Sequence, residues 1–311
     1  MKNPVRRILR SVKAFGREIK RQSQELAAIP APPVRIGLAL GGGFARGLAH
    51  IGVLRVLEEE QIPVDFIAGT SVGAVVGAAY ASGISAKELE EIAALVRFKH
   101  FSRWSFSRFG LFSNDKMAAF LSRILKCQTF EDLRIPLSVT ATDIMTGEPK
   151  VFTSGDLVDP VRASCAYPGM FHPVNINGQL LVDGLLAHSV PARPLRDMGA
   201  ERVISIHLSS HWVKAGGPRH VFDVIGQCFS IAQQKMSTEW KNLSDVVIEP
   251  AIGEFAYDDF ARTPELVRAG AEAARAALPQ IRALLPALGM ATAPAFSGAP
   301  VVKPASPVLA K

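Results

Sequence analysis

The chain has only three cysteines, Cys127, Cys165 and Cys228, an odd number widely separated along 311 residues and without metal-ligand spacing. That pattern argues against a disulfide scaffold and a thiolate metal site, and fits reduced, buried thiols in a reducing compartment. Long apolar runs are also scarce. Phe66 to Ala86 carries no charge and approaches membrane-span length. It is interrupted by Gly69, Gly73, Gly77 and Gly83 and divides between strand and helix periodicity, so no membrane span is expected. No compact apolar core followed by a small-residue cleavage site marks a signal peptide, although an organellar targeting role for the basic start of the chain stays open. No internal repeat is apparent. Phosphate-loop signatures are missing as well: Gly42 to Gly47 is followed by Leu48-Ala49 rather than Lys-Ser/Thr, and no register of G-x-G-x-x-G fits. With 48% hydrophobic and 20% charged residues, the remainder suits one large domain with a substantial core and appendages.

What is present begins with Gly69-Thr70-Ser71-Val72-Gly73. An apolar strand, Phe66-Ile67-Ala68, runs into it, and a small-residue helix over Ala74 to Tyr80 leaves it. In that setting G-x-S-x-G is a nucleophile elbow, a tight strand-to-helix turn that displays the serine hydroxyl. The flanking glycines remove side chains that would collide, and the helix aims its positive end at Ser71. Upstream, the strand Val34–Leu40 enters Gly41-Gly42-Gly43-Phe44-Ala45-Arg46-Gly47, and Leu48, Ile51, Leu54 and Leu57 then recur at helical spacing. A glycine loop at a helix N-terminus offers backbone N–H groups to an anion, whether a phosphate or an acyl-transfer oxyanion. Downstream, the apolar run Leu180-Leu181-Val182 delivers Asp183 into a turn at Gly184, after the segment Ser164-Cys165-Ala166-Tyr167-Pro168. Partial burial would give Asp183 the proton affinity of a base; a plain turn-capping aspartate is the alternative.

These four motifs, in this order and spacing, resemble the patatin-like phospholipases, over roughly residues 34 to 285. The resemblance implies a three-layer α/β/α fold around a central, mostly parallel sheet, and lipid acyl hydrolysis by a Ser–Asp dyad with no histidine, metal or organic cofactor. It makes Ser71 the nucleophile, Asp183 the base, and the amides of Gly42, Gly43 and Phe44 the oxyanion hole; Arg46 matches a basic loop residue that steadies the loop or meets a head-group phosphate. The chain departs from the family pattern after Asp183-Gly184, where Leu185 replaces the usual Gly or Ala, and Ser189 stands where an asparagine is common. A bulky leucine there calls for different packing of the turn that carries the base.

An ordinary hydrolase triad would add a histidine, and His188 and His207 follow Asp183 in the chain; both are expected to be satisfied polar residues outside the chemistry. Asp143, at the end of Val139-Thr140-Ala141-Thr142, is a second possible base, expected instead to shape its loop.

Basic charge is concentrated at the start: residues 1–29 hold eight Lys and Arg against Glu18 and Glu25, and the whole chain carries a net +7. Val5, Ile8, Val12, Phe15, Ile19, Leu26 and Ile29 recur at three- and four-residue steps, so an amphipathic helix is expected over this extension, suited to an anionic membrane surface or to packing on the body. Between 98 and 112 six aromatics interleave with Lys99, Arg103 and Arg108. Such a mixture can stack nucleic-acid bases, but beside a lipid site it reads as a lid, and no nucleic-acid partner is expected. The expected organisation is an extension over 1–31, a catalytic domain over 32–286 and a Pro/Ala-rich disordered tail over 287–311. The expected function is a cytoplasmic, peripherally membrane-associated serine acyl hydrolase of phospholipid, lysophospholipid or other fatty acyl esters. The alternative is a lipid-binding or regulatory module with little hydrolytic activity.

Overall fold

A computed structural model describes residues 34–209, 217–218 and 221–285. The amphipathic helix expected over 1–29, the 1–31 extension and the tail over 287–311 lie outside the described residues. The first half of the described chain contains β1 (Ile36–Leu40), α1 (Ala49–Glu59), β2 (Phe66–Thr70), α2 (Val72–Ala81), α3 (Ala86–Leu95), β3 (Arg103–Ser107), β4 (Gly110–Ser113), α4 (Asp115–Ile124) and β5 (Leu137–Asp143). The second half contains β6 (Pro149–Phe152), α5 (Val158–Ser164), β7 (Gly169–Phe171), β8 (Val174–Ile176), β9 (Gln179–Asp183), α6 (Ala192–Asp197), β10 (Arg202–Ile206), α7 (Val221–Asn242), β11 (Val246–Ile248) and α8 (Thr263–Leu284).

An eight-stranded sheet runs β11-β10-β1-β2-β5-β9-β8, with β6 paired to β5. Its central pairings, β10 with β1, β1 with β2 and β2 with β5, are parallel. Alternation along β1 separates two faces. Ile36, Leu38 and Leu40 join one buried cluster with Leu54 of α1, Val76 of α2 and Leu266 of α8, whereas Ala39 joins another with Leu195 of α6 and Trp240 of α7. Helices cover both faces, which is why these strands read as continuous apolar runs. The result is the expected three-layer α/β/α architecture.

Local signals agree with this layout. Ser85 caps α3 in a reciprocal capping box with Glu88. The helical spacing that begins at Leu48 opens with a 3-10 turn over Phe44–Leu48, and α1 proper starts at Ala49. Gly52 and Gly270 permit α1 and α8 to cross closely, because a Cβ at Gly52 would lie 1.8 Å from the Val267 carbonyl oxygen.

The decisive topological feature is on β5. Its residues 139–142 pair antiparallel with β6 along one edge. Along the other edge β2 pairs in parallel up to Thr70↔Thr140, and β9 pairs antiparallel from Asp183↔Ala141. Two strands thus approach one edge from opposite directions and end head to head, one delivering Ser71 and the other Asp183.

Candidate active site

Ser71 follows β2 with φ 55° and ψ −126°, a left-handed conformation uncommon outside glycine and strained by about 1–3 kcal/mol. Its neighbours leave no room for side chains: a Cβ at Gly69 would lie 2.5 Å from Ala74 Cα, and one at Gly73 would lie 2.1 Å from the Leu40 carbonyl oxygen. The chain turns directly into α2, whose Ala74 N–H donates to the Ser71 carbonyl at 2.8 Å. The Ser71 N–H donates to Ser164 Oγ at 2.8 Å, and that hydroxyl donates to the Thr140 carbonyl at 2.7 Å. Ser164, at the end of α5, therefore braces the elbow against β5.

Ser71 Oγ donates to Asp183 Oδ2 at 2.7 Å. Asp183 is fully buried, and its other oxygen, Oδ1, accepts the Leu185 N–H at 3.0 Å. Burial pushes its carboxyl up from 3.8 to about 7, against the two hydrogen bonds, which favour the charged form. Its backbone is held too, since its N–H donates to the Ala166 carbonyl at 3.0 Å and Thr142 Oγ1 donates to its carbonyl at 3.0 Å. The unusual Leu185 fits because its backbone amide holds the carboxylate, while its side chain joins a buried cluster with Tyr167 and Phe171.

The glycine loop lies against the elbow: a Cβ at Gly42 would stand 3.3 Å from Ser71 Cβ. The Gly42 N–H donates to the Ser189 carbonyl at 3.2 Å, and Gly41 donates to the Ile206 carbonyl at 3.2 Å. Phe44 sits at φ 52°, with its ring edge-on to Tyr167 at 4.9 Å. Beneath the loop His50 is buried, and its Nε2 bonds the Gly41 carbonyl at 2.8 Å. Burial lowers its pKa to about 4, so at neutral pH it is an uncharged donor pinning the loop. Arg46 is buried as well, and desolvation lowers its guanidinium to about 10 against the opposing electrostatic effect of Tyr167 and Asp259.

Two cavities adjoin this point. An apolar one of about 120 Å³ has Ser71 and Cys165 in its wall with Leu48, Val75, Ile92, Phe101 and Phe171. A polar one of about 270 Å³ is walled by Gly42, Gly43, Arg46, His207, Gln233, Lys241 and Glu249. Phe44 borders both. Burial and the neighbouring Asp183 raise the Cys165 thiol well above its ordinary value, which leaves it unreactive.

The other candidate bases read from the sequence are held by partners other than Ser71 and Asp183. His207 Nδ1 bonds Glu249 at 2.8 Å and its ring lies 4.9 Å from Trp240. His188 engages through its carbonyl, which accepts from Thr70 Oγ1 at 2.8 Å. Asp143 shapes its turn, accepting the Met145 N–H at 2.8 Å and an N–H of Gln179 at 3.3 Å. Sequence reading assigned no role to Ser164, Thr142 or His50. Ser164 stood in one of the four motifs without a role of its own, Thr142 carried only the weak signal of a hydroxyl in an apolar run, and His50 stood among apolar helix residues.

The fold and this buried hydroxyl–carboxylate pair at converging strand ends define an α/β/α protein with a strand-end serine site. The chain belongs to the patatin-like phospholipase family, whose sequence model matches residues 38–196. It is 37% identical over 183 residues to a patatin-like phospholipase domain-containing protein of Caenorhabditis elegans, covering 56% of this chain and 14% of that protein. It is 31% identical to an NTE family protein of Mycobacterium bovis, covering 67% of this chain and 55% of the relative. A protein named lysophospholipase NTE1 from Mycosarcoma maydis is 31% identical over 74% of this chain and 12% of its own length. The chain thus spans about half or less of these relatives. Among solved structures, VipD from Legionella pneumophila shares the fold with a TM-score of 0.50 at 14% identity, covering 81% of this chain and 67% of that one.

Proposed function

We propose that the protein is a serine acyl hydrolase acting on fatty acyl esters of phospholipids or lysophospholipids. The observation that carries this reading is the 2.7 Å bond from Ser71 Oγ to a buried carboxylate, at the wall of an apolar cavity. Ser71 attacks the ester carbonyl while Asp183 takes its proton; the tetrahedral intermediate collapses, the alcohol leaves with that proton, and water, deprotonated in turn, releases the fatty acid. The N-terminus of α2 and the loop at Gly42, Gly43 and Phe44 face the developing oxyanion. With the Gly42 N–H directed at Ser189, the loop's donors in this scheme are Gly43 and Phe44, and Gly42 contributes by having no side chain beside Ser71. The acyl chain occupies the apolar cavity and the polar part of the ester occupies the polar one, where Arg46 steadies the wall. The family resemblance and the lysophospholipase name of one relative support the lipid ester as substrate.

The test is labelling with a fluorophosphonate, together with lipid profiling of wild type beside Ser71→Ala. Labelling of Ser71 and release of fatty acid by wild type alone are expected. A folded protein that neither labels nor hydrolyses would instead be a lipid-binding module. His188→Ala and His207→Ala are expected to keep turnover within about threefold, since neither ring reaches the dyad.

A further inference from the structure

The segment between Val96 and Asn114 contains four bases, Arg97, Lys99, Arg103 and Arg108, and no acid. Here β3 and β4 form a hairpin in a small three-stranded sheet, and β4 pairs in parallel with β7 just beyond the Ser164–Pro168 segment. The hairpin is therefore anchored to the site. Two of its aromatics are unusually open for a protein surface: Trp104 is 65% exposed and Phe109 is 52% exposed, with the Arg108 guanidinium 4.7 Å from the Phe109 ring centre. Inward from Trp104 the aromatics are continuous. Phe112 lies 4.4 Å from Trp104 and 6.1 Å from Phe171, a wall residue of the apolar cavity.

We infer that this hairpin is a membrane-docking element that seats Trp104 and Phe109 in the headgroup region of an anionic lipid bilayer. Large, exposed aromatics favour that interfacial zone, and bases beside them add attraction to acidic lipid. Among the described acids, Asp115 alone pairs with Arg103, at 3.7 Å between exposed partners, a weak competitor for a charged surface. Docking there brings the apolar cavity to the bilayer along the Trp104–Phe112–Phe171 row. The inference concerns binding and is independent of the extension over residues 1–29; only its use in catalysis rests on the proposed hydrolase reading.

The experiment uses the full chain with vesicles of phosphatidylcholine containing 30% phosphatidylglycerol as the prepared test mixture, roughly the acidic content of a strongly charged membrane. Arg103→Ser with Arg108→Ser is expected to weaken vesicle partitioning roughly thirtyfold, about fivefold for each base. Bromolipid quenching of tryptophan emission is expected in wild type and largely lost in Trp104→Phe, which keeps the aromatic packing. Hydrolysis of a soluble short-chain ester, measured without vesicles, should remain unchanged in both variants, separating failed docking from failed chemistry. Unchanged partitioning in the double variant, or bromolipid quenching that persists in Trp104→Phe, overturns the inference; so does an absence of vesicle binding in wild type.

Discussion

The two cavities that meet at Phe44 are built from different chemistry. On one side Leu48, Val75, Ile92 and Phe101 present hydrocarbon beside Ser71. On the other, Arg46, Gln233, Lys241 and Glu249 present charge and amide groups beside the glycine loop. A lipid ester is divided in the same way, with its carbonyl at the boundary. Under the proposed function the contrast separates chemistry from selectivity: Ser71 lies in the wall of the apolar cavity beside Gly42 of the polar one, and each cavity can be altered without moving it.

Breaking the chemistry has the largest expected effect. Asp183→Asn removes the proposed base, and turnover should fall by about 10³-fold or more. In wild type, with the carboxyl pushed up to about 7, activity should rise as pH increases through about 7 and then level off. Stability runs the other way. The folded carboxyl keeps its proton up to about 7, whereas the unfolded one loses it near 3.8, so between these values the folded state binds more protons and stability declines with rising pH. Asp183→Asn should therefore be more stable than wild type at pH 8, by at most on the order of 4 kcal/mol, with the advantage vanishing below about pH 4. Thermal melts of the two proteins across pH measure it; equal pH dependence would show that Asp183 is charged at little cost.

Narrowing the apolar side should sharpen the contrast at intermediate size. Val75 of α2 lines that cavity and is half-buried, so Val75→Trp projects an indole where an acyl chain would lie. Hydrolysis of a long-chain ester should drop roughly tenfold to hundredfold relative to a butyrate ester, since each methylene excluded from an apolar pocket counts for about 1–3 kcal/mol. A parallel loss on both chain lengths would place the acyl chain elsewhere.

Much of this arrangement was legible in the residues themselves. The buried strands β1, β2 and β10 announce themselves as apolar runs, and the elbow glycines mark Ser71, because local sterics leave few other uses for that pattern. Short strands were not legible in β7 and β8, which have three residues each, too few for a period; β3 does alternate over Arg103-Trp104-Ser105-Phe106-Ser107, a strand signal hidden by reading the segment for its aromatics and bases alone. The bracing of Ser71 by Ser164 spans 93 positions and depends on where β5 falls between them. Leu185 looked disruptive because the side chain differs, yet the contact that matters is made by its main chain, which any residue but proline supplies.

The polar side offers the smallest and most selective perturbation. Lys241 is exposed, its ammonium 5.4 Å from the Trp240 ring centre, and it lines the polar cavity together with the His207–Glu249 pair. Burial lowers the His207 pKa against the pull of Glu249, which disfavours a charge on its ring at neutral pH. Lys241→Ala should raise KM about twofold to fivefold for a phosphate-bearing lipid, the range of a solvent-exposed charge, with kcat unchanged. An ester without a headgroup should show no change, and about 0.5 M salt should erase the difference by screening. A fall in kcat, or an equal effect on both substrates, would move Lys241 from headgroup selection to support of the loop.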